Sequence, residues 1–290
     1  MAEERMFDRW MGPVAIAVFC CVLSGCGHEP ASIILEYEVD LDTMPSELVV
    51  DTDRLVAAIN ARLLESGTAT VSKNGFVEVA LFGEIDQSEL KKIERRIDAM
   101  GVLEFHIMAS RVFSKHRGYI EQAEQLPLEE NELWQGDVKV AEWVPFSVEE
   151  LGAVDDVDSP LVKRLAGVPQ ALVLTNDGLD VTGDYLRFAR AESDERGSPQ
   201  VSFFFDDLGA FKFGQLTGLH IPTPSGQVYQ IGILLDKRLL SAPSIQNKIT
   251  SQGRITGLNG TEEVDFIVAI LNSGSLPYPI RQVSRKSVAE

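Results

Sequence analysis

Cysteine is almost absent from this sequence. The three cysteines, Cys20, Cys21 and Cys26, all lie near the N-terminus of the 290-residue chain, so the rest of the chain has no thiol pair for a disulfide or a cysteine-bound metal. Positive charge is also scarce, with 26 Lys and Arg against 44 Asp and Glu and a formal net charge of -18. A surface this acidic repels the phosphates of nucleic acids. We therefore expect no nucleic-acid partner.

Motifs for catalysis and metal binding are missing as well. The sequence contains no HExxH pair, no G-x-S-x-G elbow and no GxxxxGK loop, which indicate zinc peptidases, α/β-hydrolases and P-loop proteins respectively. The histidines, His28, His106, His116 and His220, have no close metal-ligand spacing. We therefore predict a non-enzymatic protein with no catalytic residues, no metal and no cofactor. A hydrolase with an unrecognised site is a third hypothesis, and it requires a pocket of convergent titratable groups.

Long hydrophobic runs are missing beyond the N-terminus. The apolar stretch GPVAIAVFCCVLSG, residues 12–25, is too short to span a bilayer comfortably, since a transmembrane helix needs about 20 apolar residues. Its length suits the apolar region of a signal peptide. No later apolar run approaches the length of a membrane-spanning helix.

The tetrapeptide Leu23-Ser24-Gly25-Cys26 resembles the lipobox of bacterial lipoproteins. The resemblance implies that residues 1–25 are a cleaved signal peptide and that Cys26 is diacylated, for example with palmitate. Two acyl chains give stable membrane attachment, whereas one gives only marginal binding. An uncleaved N-terminal anchor and a chance occurrence of this tetrapeptide are the alternatives.

The lipobox also predicts the location of the protein. We expect a lipid-anchored protein of the bacterial cell envelope that faces the periplasm. In lipoproteins an Asp after the lipidated cysteine often marks retention at the inner membrane. Here that residue is Gly27, so the sequence also allows sorting of the protein to the outer membrane.

Residues 26–110 show strand and helix patterns in the order β-α-β-β-α-β. Period-two alternation predicts strands, and apolar residues every three to four positions predict helices. The predicted strands are at 32–40, at 68–82, where two strands flank Asn74-Gly75, and at 102–108. The predicted helices are at 52–66 and 86–100. This order is that of the ferredoxin-like fold. We predict a compact ferredoxin-like base domain.

The rest of the chain divides into an acidic connection, residues 111–169, and a mixed α+β head domain, residues 170–290. The connection contains LEENE and EELGAVDDVDSP, whose charge is typical of solvated loops; it also has patterns for a short helix near 119–125 and a strand at 139–144. The head has several strand patterns and helices at 208–216 and 262–272. The predicted fold class is α+β throughout.

Three segments of the head resemble the first periplasmic domain of SecD, a membrane subunit that assists the bacterial secretion channel. They are VSFFFDDLGAFKFGQLTG, GILLDKRLLSAPSIQNKITSQGRITG and TEEVDFIVAILNSGSLPYPI. Members of that family typically have a phenylalanine-rich strand ending in Asp, a VLDGxxxSAPxI hairpin and an L-x-S-G-A-L-P segment. The hairpin positions matched here are Leu235, Asp236, Ser241, Ala242, Pro243 and Ile245, with Lys237 where the family prefers Gly.

The resemblance covers roughly residues 32–283 and implies a role in protein export. SecD uses proton flow through a bundle of transmembrane helices to move its periplasmic domain, and no such helices follow in this sequence. We therefore expect a SecD-like periplasmic domain carried by a lipid anchor, which binds unfolded polypeptide or an envelope partner such as a translocon subunit. The alternative is a structural, self-associating envelope protein that keeps the fold without the secretion role.

Five phenylalanines crowd one strand-helix segment: Phe203, Phe204, Phe205, Phe211 and Phe213. Because successive strand residues point to opposite faces, the three strand phenylalanines cannot all be buried on one face. One interpretation buries Phe203 and Phe205 and packs Phe204 under a loop. The other places Phe204 or Phe213 in an exposed patch that grips an unfolded polypeptide or a partner. A sheet edge of the head is a further candidate contact, because strand addition is largely independent of sequence.

Overall fold

The structure, a computed structural model, describes residues 31–44, 49–147, 162–176 and 178–288. The predicted signal peptide and the lipobox, Leu23, Ser24, Gly25 and Cys26, lie outside the described residues. So does the acidic stretch EELGAVDDVDSP, residues 149–160.

Fourteen strands and five α-helices are present in the described ranges. The strands are β1 (Ala31–Val39), β2 (Gly67–Val71), β3 (Val77–Phe82), β4 (Leu103–Met108), β5 (Glu132–Gln135), β6 (Val138–Pro145), β7 (Val162–Leu165), β8 (Val168–Leu174), β9 (Leu186–Ser193), β10 (Pro199–Phe205), β11 (Ile231–Leu235), β12 (Arg238–Ser241), β13 (Gln252–Ile255) and β14 (Ile280–Ser287). The helices are α1 (Thr52–Leu63), α2 (Gln87–Asp98), α3 (Arg117–Ala123), α4 (Asp207–Gly218) and α5 (Thr261–Ser273).

The strands form three sheets, and every strand pair in them is antiparallel. The base sheet has the order β14-β1-β3-β2, and the head sheet has the order β13-β10-β9. The long sheet has seven strands, in the order β12-β11-β4-β8-β6-β5 with β7 also paired to β8. Helices α1 and α2 share a hydrophobic core with the base sheet, while α4 and α5 share another with the head sheet. The predicted α+β class is confirmed.

One strand of the base differs from the prediction. Residues 102–108 were expected to close the ferredoxin-like sheet, but β4 pairs with β11 and β8 of the long sheet. Strand β14, from the C-terminal end, takes the place beside β1. The predicted boundaries at residues 110 and 169 also fall inside the long sheet, because β4, β6, β8 and β11 all belong to it.

Burial and charge explain the exchange of strands. Leu103, Phe105 and Ile107 of β4 are at most 2% exposed in the head core. Apart from Phe113, the other buried residues of this core come from the second half of the chain. Strand β14 is largely exposed and carries cations that pair with acids of β1: Arg281 contacts Glu38 and Lys286 contacts Glu36. A polar edge strand therefore completes the base, and the apolar strand goes to the larger core.

The segment after residue 110 is more regular than the sequence indicated. Helix α3 and strand β6 lie close to the predicted helix and strand, and β5 and β6 extend the long sheet. Trp143 of β6 is buried, and its indole N–H donates to the carbonyl of Ala123 at 3.1 Å. This bond fastens α3 onto the sheet.

The buried guanidinium of Arg62 connects α1 to two other helices. Arg62 is 0% exposed and donates hydrogen bonds to Ser273 Oγ and to five backbone carbonyls, those of Arg96, Ile97, Ala99, Met100 and Gly274. These carbonyls lie at the C-terminal ends of α2 and α5, where helices have unpaired acceptors and partial negative charge. Burial lowers the pKa of Arg62 to about 10, so the side chain stays charged at neutral pH.

Replacement of this arginine tests its structural importance. We expect Arg62→Met to lower the free energy of unfolding by about 3–5 kcal/mol, because several buried carbonyls lose their donor and each unsatisfied acceptor costs about 1–3 kcal/mol. Urea unfolding followed by tryptophan fluorescence measures the loss. The control is Arg54→Met, which changes an exposed arginine of the same helix. Equal stabilities of the two variants would show that the arginine network is dispensable.

Candidate functional site

The strand phenylalanines of β10 separate onto two faces. Phe203 and Phe205 are buried in the head core with Phe213 of α4. All three rings pack around Phe105 of β4, at centroid distances of 5.3, 5.5 and 5.3 Å respectively. The part of the first interpretation that buries Phe203 and Phe205 is therefore confirmed. Its other part, which packs Phe204 under a loop, is wrong, because the Phe204 ring stacks on Phe188 of β9.

Phe204 lies on the opposite face of β10 and is partly exposed. Its ring stacks on Phe188 of β9, with centroids 4.4 Å apart and ring planes 21° apart. The guanidinium of Arg190 lies 5.0 Å from the centre of the Phe204 ring, within the range of a cation–π contact. Phe188 is itself 40% exposed, so the pair forms an apolar surface on the head sheet.

A groove of about 420 Å³ lies beside these phenylalanines. We call it the head groove. Its apolar lining comes from β10, α4, β11 and the segment between β12 and β13, and comprises Phe203, Phe204, Phe213, Ile231, Ile233, Pro243 and Ile249. Its polar lining includes Arg190, Glu192, Ser202 and Arg254.

The groove brings both predicted contact residues to one place, but in different ways. Phe204 contributes a partly exposed ring, whereas Phe213 is only 2% exposed. Phe213 therefore cannot form part of an exposed patch, and the prediction is wrong for it in this respect. It lines the groove from the head core because α4 packs that face of the helix against Phe105 and Phe205.

The rim of the groove holds a fixed charge arrangement. Ser202 Oγ donates to Glu192 Oε2 at 2.5 Å, and Arg190 Nη2 lies 2.6 Å from Glu192 Oε1. The Ser202 hydrogen bond and, to a smaller extent, Arg190 lower the pKa of Glu192. The carboxylate therefore stays ionised at neutral pH, and the rim presents two arginines and one acid around an apolar floor.

The two edges of the head sheet differ. On the β9 edge, the amide of Asn272 from α5 takes the place of a strand: its Oδ1 accepts from the N–H of Ala189 at 2.7 Å, and its Nδ2 donates to the carbonyl of Ala189 at 2.9 Å. On the other edge, β13 pairs only with β10 among the described strands. The head groove borders this second edge through Gln252, Gly253 and Arg254.

Sequence reasoning missed Phe188, Arg190 and Ile249. The first two were detectable, because Phe188, Arg190 and Glu192 alternate along β9 and must share one face of the strand. Ile249 carries no comparable signal, since it lies in an irregular segment before β13.

No described residues form a metal site or a membrane span. No group of three or more His, Cys, Asp or Glu side chains in those ranges is placed to hold a metal ion. No helix in the described part of the chain is long and apolar enough to cross a bilayer.

Comparisons with known proteins agree with this architecture. Residues 161–278 match the family model described as SecDF, P1 head subdomain. The protein translocase subunit SecD of Elusimicrobium minutum is 27% identical over 89% of this chain and 51% of its own length. The SecD of Rhodobacter capsulatus is 42% identical over 33% of this chain and 17% of its own length. The chain thus spans about half or less of these relatives.

A solved structure has the same fold. It is described as a membrane component SecDF that enhances protein export, and it superposes with a TM-score of 0.57 at 23% identity, over 88% of this chain and all of the other. This chain carries a SecD-type periplasmic domain. The resemblance that rested on three sequence segments is thereby confirmed for the domain.

The hairpin motif of this SecD-type domain is part of its framework. Asp236 Oδ1 accepts from the N–H of Val102 at 2.8 Å, and the Asp236 N–H donates to the carbonyl of Val102 at 2.9 Å, so the turn fixes the start of β4. Leu235, Ser241 and Ile245 are buried, Ala242 is partly buried, and the carbonyl of Pro243 accepts from the N–H of Ile231 at 3.0 Å. Of these six predicted residues, only Pro243 lines the head groove.

Lys237 departs from the family pattern and has its own partners. Its φ is +61°, a backbone conformation that normally favours Gly or Asn. The Nζ atom lies 3.2 Å from carboxylate oxygens of both Glu132 and Glu142. These contacts join the hairpin turn to β5 and β6.

Gly253 in the SecD-type head must remain without a side chain. A Cβ atom at this position would lie 2.3 Å from Cζ of Phe203, so the ring would have to move. We expect Gly253→Ala to lower the free energy of unfolding by about 1–3 kcal/mol, as overpacked sites do. Chemical denaturation measures this effect.

The matched control is Gly118→Ala in α3, where an added Cβ meets no atom within 4 Å. We expect no loss there, because Ala is favoured over Gly in a helix by about 1 kcal/mol. A stable Gly253→Ala protein would mean that Phe203 is free to move and that the groove is not rigid.

Proposed function

We propose that this chain is a non-enzymatic, membrane-anchored accessory of protein export, and that its head groove holds extended segments of exported polypeptide. The observation that carries the proposal is the groove itself. It combines an apolar floor of phenylalanine and isoleucine, a charged rim and an adjoining strand edge in one SecD-type head.

An unfolded polypeptide offers the chemistry that this surface accepts. Transfer of apolar side chains out of water is favourable by about 25 cal/mol per Å² of buried apolar surface. The backbone of an extended chain can pair with a strand edge such as β13, and this pairing is largely independent of sequence. Both features suit a protein that handles many different substrates.

The names of the relatives support a role in protein export. The curated relatives are named as subunits of the protein translocase. We extend that association to this chain, so that its partners would be translocon subunits or the exported polypeptide. The location follows from the same proposal: the bacterial cell envelope, with the domain facing the periplasm.

The lipid anchor would hold the base near the membrane. Four residues separate Cys26 from Ala31, the first residue of β1. An extended chain covers at most about 3.6 Å per residue, so the start of β1 would lie within about 20 Å of the lipidated sulfur. The base sheet would then be the part of the domain next to the bilayer.

Self-association is the second candidate function, and a separate surface favours it. Leu208, Phe211 and Leu219 lie on one side of α4 and at its C-terminal end, and they are 53%, 62% and 68% exposed. Such a row of apolar side chains fits a protein interface. It lies outside the lining of the head groove, so the two functions can be tested separately.

A matched pair of substitutions distinguishes the two surfaces. We expect Phe204→Asp to weaken binding of a fluorescein-labelled, unfolded apolar peptide about tenfold or more, since burying a large apolar side chain contributes about 1.5–3 kcal/mol. Phe211→Asp makes the same chemical change on α4 and should leave peptide affinity unchanged. Fluorescence anisotropy measures affinity, and circular dichroism verifies that both variants fold.

The opposite pattern would refute peptide binding in the groove. If Phe204→Asp binds the peptide as tightly as the original chain, the groove is not the binding site. If Phe211→Asp alone has an effect, and that effect is the loss of a dimer seen in analytical ultracentrifugation, the self-association function replaces the first proposal.

The anchor has its own test. We expect Cys26→Ala to abolish incorporation of radiolabelled palmitate and to leave the uncleaved precursor in the cells, because the acylated atom is the cysteine sulfur. Metabolic labelling and the mass of the purified chain report the result. Cys21→Ala, which changes the cysteine five residues earlier, is the control and should be labelled normally. Normal labelling of Cys26→Ala would contradict the lipobox.

A further inference from the structure

One end of the base sheet brings four chain segments together around the start of β1. Strand β3 ends there at Phe82, which pairs with Ala31, the first residue of β1. The N–H of Phe82 donates to the carbonyl of Ser66 at 3.1 Å, and the N–H of Val288 donates to the carbonyl of Ser32 at 2.9 Å. The turn after α1 and the segment after β14 therefore lie at the same end of the sheet. We call this surface the β1 end of the base.

Leu64 occupies an unfavourable backbone position in the turn between α1 and β2. Its φ and ψ angles are +56° and −117°, and the N–H of Ser66 donates to the carbonyl of Leu63 at 3.0 Å. These values are those of the first central position of a type II′ turn, where Gly dominates because φ is positive. Bulky side chains rarely adopt a positive φ. The turn itself therefore does not account for a leucine here.

The hydrophobic core does not account for Leu64 either. The residue is 60% exposed and is not among the described residues of the base core, although its neighbour Leu63 is. At the same end, Val288 is 45% exposed and Phe82 is partly exposed. Single exposed apolar side chains are common on protein surfaces. An exposed leucine held at an unfavourable backbone geometry, however, points to a function of its side chain.

The position of the anchor identifies the surface that Leu64 meets. Residues 27–30 separate Cys26 from β1, so acyl chains on Cys26 would hold the β1 end within about 20 Å of the membrane, at no more than about 3.6 Å per residue. The other end of the nine-residue strand β1 lies roughly 26 Å from Ala31, at about 3.3 Å per residue. The β1 end is therefore the part of the base that can reach the bilayer.

The charges at the β1 end favour apolar insertion over electrostatic attraction. Glu65, in the same turn as Leu64, and Glu84, which follows β3, are both exposed. The cation Lys286 at the end of β14 pairs with Glu36 at 3.3 Å. Anionic lipids attract clusters of basic residues, and these exposed acids oppose such attraction. Segments that enter the bilayer interface do so through their apolar side chains.

We propose that the turn at Leu64 inserts into the interface of the membrane that holds the anchor, with the leucine side chain at the boundary between headgroups and acyl chains. The inference rests on the proposed lipid anchor, because the acyl chains bring the β1 end to the bilayer. An anchor alone limits the distance of the domain from the membrane. A second contact through Leu64 also fixes the orientation of the base, and with it the direction in which the head groove faces.

Tryptophan substitution and brominated lipids test the insertion. The acylated full chain is placed in phosphatidylcholine vesicles with or without bromine on the acyl chains, and the fluorescence of the parent chain is subtracted. We expect brominated lipid to quench the fluorescence added by Leu64→Trp, because quenching requires contact between the indole and the acyl chains. Leu41→Trp is the matched control and should not be quenched, since Leu41 is 61% exposed and follows the other end of β1.

The variant Leu64→Gly separates membrane contact from a structural role. Gly suits the first central position of a type II′ turn, so we expect this variant to resist urea at least as well as the parent chain. A marked loss of stability would show that the leucine side chain supports the fold, and the proposal would be overturned.

Mass spectrometry of the acyl groups on each protein distinguishes failure of the insertion from failure of the anchor. If the chain is acylated and Leu64→Trp is quenched no more than Leu41→Trp, the anchor stands and the insertion is refuted; the surface would then suit a protein partner. Quenching that appears only after phosphatidylglycerol is added would also refute apolar insertion, because the attraction would be electrostatic. A chain without acyl groups would overturn both proposals.

Discussion

The buried guanidinium of Arg62 is the constraint on which the arrangement of this chain depends. Arg62 belongs to a helix of the base core, yet its acceptors lie at the ends of α2 and α5, and α5 packs into the head core. An unpaired charge in such a place would cost several kcal/mol. Here the C-termini of two helices compensate the charge. The hydrogen bonds of Arg62 therefore hold the base core and the head core together.

The path of the chain follows from this junction. The chain leaves the base after α2, builds the long sheet and the head, and returns through α5 to add β14 at the open side of β1. The base is therefore completed only by residues at the far end of the chain, and the head is an insertion within it. The same return places Asn272 against β9 and leaves β13 as the edge without a strand partner in the described ranges.

The candidate groove depends on contacts between distant segments. Phe203 rests against Gly253, Phe213 comes from the next helix, and Ile231 comes from the long sheet. Burial of Phe203, Phe205 and Phe213 around Phe105 positions this floor, while the outward face of the same strand adds Phe204 to the apolar lining. One phenylalanine-rich strand thus serves the core with one face and the proposed binding surface with the other.

The amino-acid sequence alone determined the α+β class, most helices and strands, the burial of Phe203 and Phe205, and the kinship with the SecD head, because periodicity, turn residues and short motifs are local properties. Tertiary structure decided which strand closes the base. Both β4 and β14 have strand patterns, but Phe105 of β4 is buried in the head core, so β14 takes the position in the base sheet. It also decided that Phe213 is buried and that Phe188 stacks on Phe204. These contacts join residues 16 positions apart (Phe188 and Phe204) and 108 positions apart (Phe105 and Phe213), which meet only after packing.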